Sequence, residues 1–210
     1  MPAAKPFFMQ RALIGWRREI GMMRKSLALL LVFLLAACGG VSHHYWLATG
    51  LPKTRPDPLA SRYIVLVRAH TPERRALVYY HNGGYDPRAL RAIDYLFRDR
   101  RTGTVGRIDP LLIDFLVDIR TRLDLPETVP FEILSGYRTP ESNAILARTN
   151  NHVAMESTHM RGWAADFRIP GVSGEAIADV ARTMQRGGVA YYPGDNHVHV
   201  DIGGLRTWAK

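Results

Sequence analysis

The chain has 210 residues, 47% of them hydrophobic and 22% charged, with a formal net charge of +9 and a single cysteine. This length supports one domain with a real core, and one cysteine excludes an intramolecular disulfide, so stability must come from packing or a metal. Six basic residues and one acid lie in the first 37 positions; without them the charge falls to a mildly basic +4, which suits a carboxylate-rich neighbour and demands no nucleic acid.

Met22-Met-Arg-Lys25 precedes eleven apolar residues, Leu27 to Ala37. A membrane-spanning helix needs roughly 20, so residues 1–37 read as a leader and secretory signal with a short apolar region. The ending Leu35-Ala-Ala-Cys38 resembles a lipobox, in which the Cys38 thiol carries lipid and becomes the first mature residue; an ordinary signal cut after Ala-x-Ala is the competing reading. Residues 38–60, with Gly39, Gly40, Pro52, Pro56 and Pro58, read as anchor and linker. One folded domain is expected over 61–210.

Within it, Tyr63 to Val67 and Ala76 to Tyr80 are rich in β-branched and aromatic residues and predict a pair of strands. Gly83 to Pro87 predicts a turn, with Asp86 capping a helix that starts at Pro87 and runs to about Arg98. The charged run Arg98-Asp-Arg-Arg101 follows, either as a solvated loop or with a structural or wall-binding role. Asp109-Pro110 predicts a second helix with the apolar stripe Leu112, Phe115, Leu116, Ile119 and Leu123. Phe131 to Leu134 predicts a short strand delivering Ser135-Gly-Tyr-Arg138, and Thr139-Pro140 caps a helix to about Arg148. A flexible loop is expected over Asn150 to Met155. Beyond it come a strand from Trp163 to Ile169, a helix from Ser173 closed by Gly187-Gly188, and a hairpin of 189–192 with 197–200. The expected architecture is α+β, with helices packed on a small antiparallel sheet whose polar end holds a metal.

The chemistry concentrates in Ser157-Thr-His-Met-Arg-Gly-Trp-Ala-Ala-Asp166 and His197-Val-His-Val-Asp201. His159, Asp166 and one histidine of the H-x-H pair, His197 or His199, make a set of two imidazoles and a carboxylate. Such a set fills three corners of a tetrahedron and leaves the fourth for water, as in catalytic zinc sites. In the second segment, polar His197, His199 and Asp201 alternate with Val198, Val200 and Ile202, a strand with one polar face. Arg138, at a strand end, is the candidate grip on a substrate carboxylate or carbonyl, because a guanidinium offers a planar donor fork that stays charged.

In order along the chain, Ser135-Gly-Tyr-Arg138, Ser157-Thr-His159 through Asp166, and Val198-His199-Val-Asp201 resemble the zinc peptidases of bacterial cell-wall metabolism. These share a fold with D-Ala-D-Ala carboxypeptidases and the Hedgehog signalling domain. The likeness is nearest to the murein endopeptidase K group, and covers about residues 75–208. It implies Zn2+ on His159, Asp166 and His199, and hydrolysis of peptidoglycan stem-peptide cross-links by a monomer. A lipid on Cys38 would hold it in the periplasm, at the outer membrane more than the inner. In the carboxypeptidase relatives a glutamate three residues before the last metal histidine acts as base; here that position is Asn196. The proton acceptors left are His197 and Asp201, with Glu156 third, and Asp201 could instead orient a metal-bound imidazole. The alternatives to an endopeptidase are a non-catalytic wall-binding module with a structural metal and a D,D-carboxypeptidase.

Overall fold

The computed structural model describes residues 56–149 and 153–209, so the leader, the Cys38 lipobox, most of the linker and positions 150–152 of the expected loop lie outside the described residues. The described chain builds one eight-stranded sheet with four α-helices. The strands are β1 (Arg62–Arg68), β2 (Arg74–His81), β3 (Gly84–Tyr85), β4 (Phe131–Ser135), β5 (Ala164–Arg168), β6 (Gly188–Tyr192), β7 (His197–Asp201) and β8 (Arg206–Ala209). The helices are α1 (Pro87–Leu96), α2 (Pro110–Arg122), α3 (Pro140–Thr149) and α4 (Gly174–Thr183), with a 3-10 turn at Thr158–Arg161.

The sheet order is β3-β2-β1-β4-β5-β7-β6-β8. It is larger than the small antiparallel sheet expected, and two of its pairings are parallel, β1 with β4 and β6 with β8. The first arises because α1 and α2 lie between β1 and β4 and return the chain to re-enter in the direction of β1, as a parallel pairing requires. The second follows from a short reversal: β8 runs against β7, its predecessor, and therefore along β6. The remaining pairings are antiparallel.

Two strands escaped the sequence pattern because they are too short to show alternation. β8 is four residues long. β3 lies inside the turn expected at Gly83–Pro87: Asn82 and Gly83, at φ 51° and 77°, form a two-residue turn that pairs His81 with Gly84. Two positive-φ residues in such a loop are the mark of a type I′ hairpin, and Asn-Gly is its usual sequence.

The helix starts follow from capping. Asp86 accepts from the N–H groups of Arg88 and Ala89, and Asp109 from that of Leu111, each with proline at the first helical position. Ser173 caps α4 in the same way through Ala176 N. The chain leaves α4 at Met184, three residues before Gly187, and Gly188 already belongs to β6.

Strand alternation decides where the core and the site sit. Ile64 and Leu66 of β1, Phe131 and Ile133 of β4, Ala165 and Phe167 of β5, Val189 of β6, and Val198 and Val200 of β7 are buried together with Ile93, Leu112, Phe115, Leu116 and Ile177 of the helices. The alternate positions on β5 and β7, Asp166, His199 and Asp201, therefore share the opposite face, and a register shift between Ile133 and Ser135 breaks the alternation of β4 and sets Ser135 across from Asp166. The polar face expected for β7 is present, but it is not solvated: His199 is buried and Asp201 is 0% exposed.

Candidate metal centre

Sheet register sets half of the site. Asp166 on β5 stands directly across from His199 on β7, and Ser135 on β4 lies across from Asp166. The neighbours of the bulky polar residues are small: Ala164 faces Asp201, and Ala190 on β6 faces His199, both alanines fully buried. A larger residue at either place would fill the space the imidazole and carboxylate need.

His159 comes from the 3-10 turn. Ser157 caps that turn, and Gly162 ends it at φ 68°, where an added Cβ would lie 1.9 Å from the Arg107 carbonyl oxygen. Arg138 N–H donates to the His159 carbonyl at 3.2 Å, and Gly162 carbonyl accepts from Asp109 N–H at 3.1 Å. The turn is thus tied on one side to the Ser135–Arg138 loop and on the other to the start of α2.

Three ligand-type atoms converge. His159 Nε2 lies 3.3 Å from His199 Nδ1 and 3.4 Å from Asp166 Oδ1, and His199 Nδ1 lies 2.8 Å from Asp166 Oδ1. Bonds of about 2.0–2.1 Å at tetrahedral angles put donor atoms about 3.3 Å apart; the two distances from His159 match this, while His199 Nδ1 and Asp166 Oδ1, at hydrogen-bond distance, would part slightly to admit one ion. The opposite ring nitrogens fix the tautomers. His159 Nδ1 is 2.7 Å from the Gly136 carbonyl oxygen, and His199 Nε2 is 3.1 Å from Asp201 Oδ2. Both partners only accept, so both of these nitrogens carry a proton, and it is the other two, His159 Nε2 and His199 Nδ1, that meet the carboxylate and are left for a cation. Lone pairs and a carboxylate oxygen facing one another form a donor set for a cation. The same residues are the one group of three metal-type ligands found among the described residues.

The electrostatics agree with that reading. Burial lowers the His159 pKa and outweighs the attraction of Asp166, so its imidazole is neutral and ready to bind. Burial alone would raise Asp166, but the charges and hydrogen bonds of His159 and His199 hold it well below the ordinary carboxylate range. For His199, hydrogen bonds and charge from Asp166 and Asp201 overcome burial and push it up to about 9, so a metal held there would take the place of a proton.

The other expected site residues lie around this centre in distinct positions. Asp201 stands behind His199 and is enclosed by donors: Gly188 N–H and Gly203 N–H on Oδ1, Arg206 at 2.6 Å and His199 on Oδ2. Arg138 is mostly buried; it donates to Asn143 Oδ1 and Ser135 Oγ, and its guanidinium is 3.8 Å from Asp166 Oδ2. His197 is not part of the three-atom cluster. It lines the same cavity, about 480 Å³, as His159, Asp166, His199 and Arg138, and Glu156 lines it as well. His197 Nδ1 donates to Asp195 Oδ1 at 2.5 Å, and its ring stacks on Tyr192 with centroids 4.3 Å apart. Asn196, in the place of the glutamate, is turned elsewhere: its Oδ1 accepts from Gly174 N–H at 2.7 Å and so fastens the β6–β7 turn to the start of α4.

Sequence reasoning did not single out the Gly136 carbonyl, Asn143 or Asp195. A backbone acceptor leaves no residue-type signal, and Asn143 is visible only once α3 is placed beside Arg138. Asp195 stood two residues before His197, where the turn composition masked it.

A family model described as peptidoglycan L,D-endopeptidase MepK matches residues 58–208. A probable peptidoglycan L,D-endopeptidase MepK of Haemophilus influenzae is 38% identical over 147 residues, 70% of this chain and 78% of that protein. The peptidoglycan L,D-endopeptidase MepK of Escherichia coli K12 is 35% identical over 147 residues, covering 70% and 80%. The matched stretch contains the Ser135–Arg138 loop, the His159 turn and both ligand strands, and the chain belongs to the peptidoglycan L,D-endopeptidase MepK family.

Proposed function

We propose that this protein is a zinc-dependent endopeptidase that hydrolyses peptide cross-links of peptidoglycan, at the L,D bond named for its relatives, with His159, Asp166 and His199 as the metal ligands. The observation that carries the reading is the meeting of two imidazole nitrogens, each with its opposite ring nitrogen committed to an acceptor, with one carboxylate at the wall of a cavity. A divalent ion held there supplies a Lewis acid and lowers the pKa of water toward 7. The remaining steps belong to the chain's own groups. His197, which lines the cavity with its Nδ1–H committed to Asp195, keeps Nε2 as the proton acceptor, and its ring is held by stacking on Tyr192. Arg138, clamped by Asn143 and Ser135, supplies a positioned cation for the oxygen of the scissile amide. Asp201, saturated by donors and held below the ordinary carboxylate range by His199 and the Gly203 and Gly188 N–H groups despite burial, orients His199 and is a poor base.

The leader sequence supports export, with lipid on Cys38 tethering the domain to the outer membrane on its periplasmic side. No helix among the described residues is long and apolar enough to cross a membrane. The test is to incubate the purified protein with isolated murein, with and without chelator, and to separate the products by mass. Loss of cross-linked dimers, abolished by chelator, restored by zinc and absent in Asp166→Ala, is expected. Release of terminal D-alanine alone would identify a carboxypeptidase instead, and unchanged murein would identify a binding module.

A further inference from the structure

A second cavity, about 510 Å³, adjoins the first and shares Arg138, Leu146 and Asp166 with it. Its outer wall is the Asp99–Gly103 turn, part of the charged run whose role the sequence left open. The turn is a built structure. Arg98 fastens its start through two hydrogen bonds to Glu73, at 2.8 and 2.7 Å. Asp99, 1% exposed, accepts from the N–H groups of Arg101 and Thr102 and, across the fold, from Thr139 N–H at 2.7 Å. Its negative charge is thus spent on the backbone. Arg100 is pinned to the end of β4 by a hydrogen bond to the Leu134 carbonyl at 2.8 Å and lines the cavity, with further N–H groups on its five-donor guanidinium.

Arg101 has a different position. It lines the cavity and is exposed, and among the described residues its guanidinium has no carboxylate partner. It lines the same cavity as Arg138. Three guanidinium groups therefore surround one cavity. The two acids that line it are already engaged, Asp99 by backbone donors and Asp166 by the imidazoles. Surface arginines left to themselves spread apart; here a stapled turn sets two of them into the lining of the same cavity as a third.

Building on the proposed peptidase function, we infer that this second cavity is a carboxylate subsite, in which Arg101, assisted by Arg100, receives a free carboxylate of the stem peptide while the amide to be cut lies against Arg138 and the metal ligands. Arg138 and Asp166, which line both cavities, mark the junction. A peptide crossing it would bring its anionic group to the arginines on one side and its continuing chain into the first cavity on the other. The subsite selects for carboxylate over carboxamide, because a guanidinium fork gains a charge-assisted pair only with the anion.

The test uses two cross-linked peptides that differ only in whether the free carboxylates beside the cleaved bond are intact or amidated. For the wild-type protein the intact peptide is expected to have a KM about tenfold lower, the effect of one charge-assisted contact in a partly exposed site, with similar kcat. Arg101→Gln should raise KM for the intact peptide by that factor, leave the amidated peptide unchanged, and keep wild-type circular dichroism. Equal KM values for the two peptides in the wild type, or an undiminished preference in Arg101→Gln, would overturn the subsite. Calorimetric binding of the same two peptides is measured alongside. If neither peptide is cut, the peptidase reading fails by itself, and the preference for the intact peptide, present in the wild type and lost in Arg101→Gln, still decides the subsite.

Discussion

Asp201→Asn separates two roles that the position of this residue allowed from sequence. The wild-type carboxylate is fully buried and takes hydrogen bonds from Gly188 N–H at 3.2 Å, Gly203 N–H at 2.8 Å, Arg206 at 2.6 Å and His199 Nε2–H at 3.1 Å. Asparagine has the same shape but one acceptor oxygen. If that oxygen stays with the two backbone N–H groups, its NH2 faces Arg206 and His199, both of them donors. The arginine can swing outward. His199 cannot, so the clash favours losing the proton from Nε2 and keeping the one on Nδ1, the nitrogen that a metal needs bare beside Asp166 and His159. Turning the amide over only moves the conflict to the backbone donors. Loss of a carboxylate partner behind a metal-bound imidazole costs 10–100-fold in metal affinity, or about 1.4–2.7 kcal/mol, and that loss is expected here. Competition with a chromogenic zinc chelator measures it, circular dichroism controls for folding, and turnover should recover partly at saturating metal. An Asp201→Asn protein that binds zinc as tightly as wild type yet has lost kcat at every metal concentration would refute this reasoning and make Asp201 the base.

Two further outcomes follow from the elements that carry the site. Gly162→Ala puts a side chain at φ 68° and drives its Cβ into the Arg107 carbonyl, so the His159 turn must shift; a loss of at least about 2 kcal/mol is expected, because the left-handed conformation alone costs 1–2. An unchanged calorimetric Tm would show that this turn is not fixed as described. Asp99 gives a pH dependence. Burial would raise it, but the Thr139 and Thr102 N–H groups, Ser142 and the Arg101 N–H together hold its pKa below the ordinary value. A depressed folded pKa stabilises the protein above the unfolded value, about 3.9, and the stabilisation is lost as pH falls through the folded value. The Tm gap between wild type and Asp99→Asn should therefore be widest near neutrality and narrow in acid below about pH 4; a constant gap would contradict it.

What the sequence showed, and what it hid, divides along the range of the interactions involved. Asp86-Pro87 and Asp109-Pro110 gave both helix starts, because a cap is satisfied within three residues of itself. The convergence of His159, Asp166 and His199 was legible because each sits in a short motif, and the fold needs only to bring two motifs together. The sheet exceeded expectation for the opposite reason: β3 and β8 are strands by virtue of their partners, and the parallel pairing of β1 with β4 joins residues that no local pattern connects. Base and positioning roles were the hardest to read. His197, His199 and Asp201 share one strand face at a spacing of two, and sequence alone treats them alike. What separates them is the chain beyond the strand. His199 is drawn into the cluster by Asp166 across the register, Asp201 is closed in by the backbone of 188 and 203, and His197, at the strand's end, meets Asp195 and Tyr192 beside the cavity. A single alternating strand thus carries the proposed ligand, its proposed orienting carboxylate and the proposed proton acceptor. The register with β5 assigns the parts: slipping β7 by one residue would turn all three into the core and bring Val198 and Val200 to the metal face.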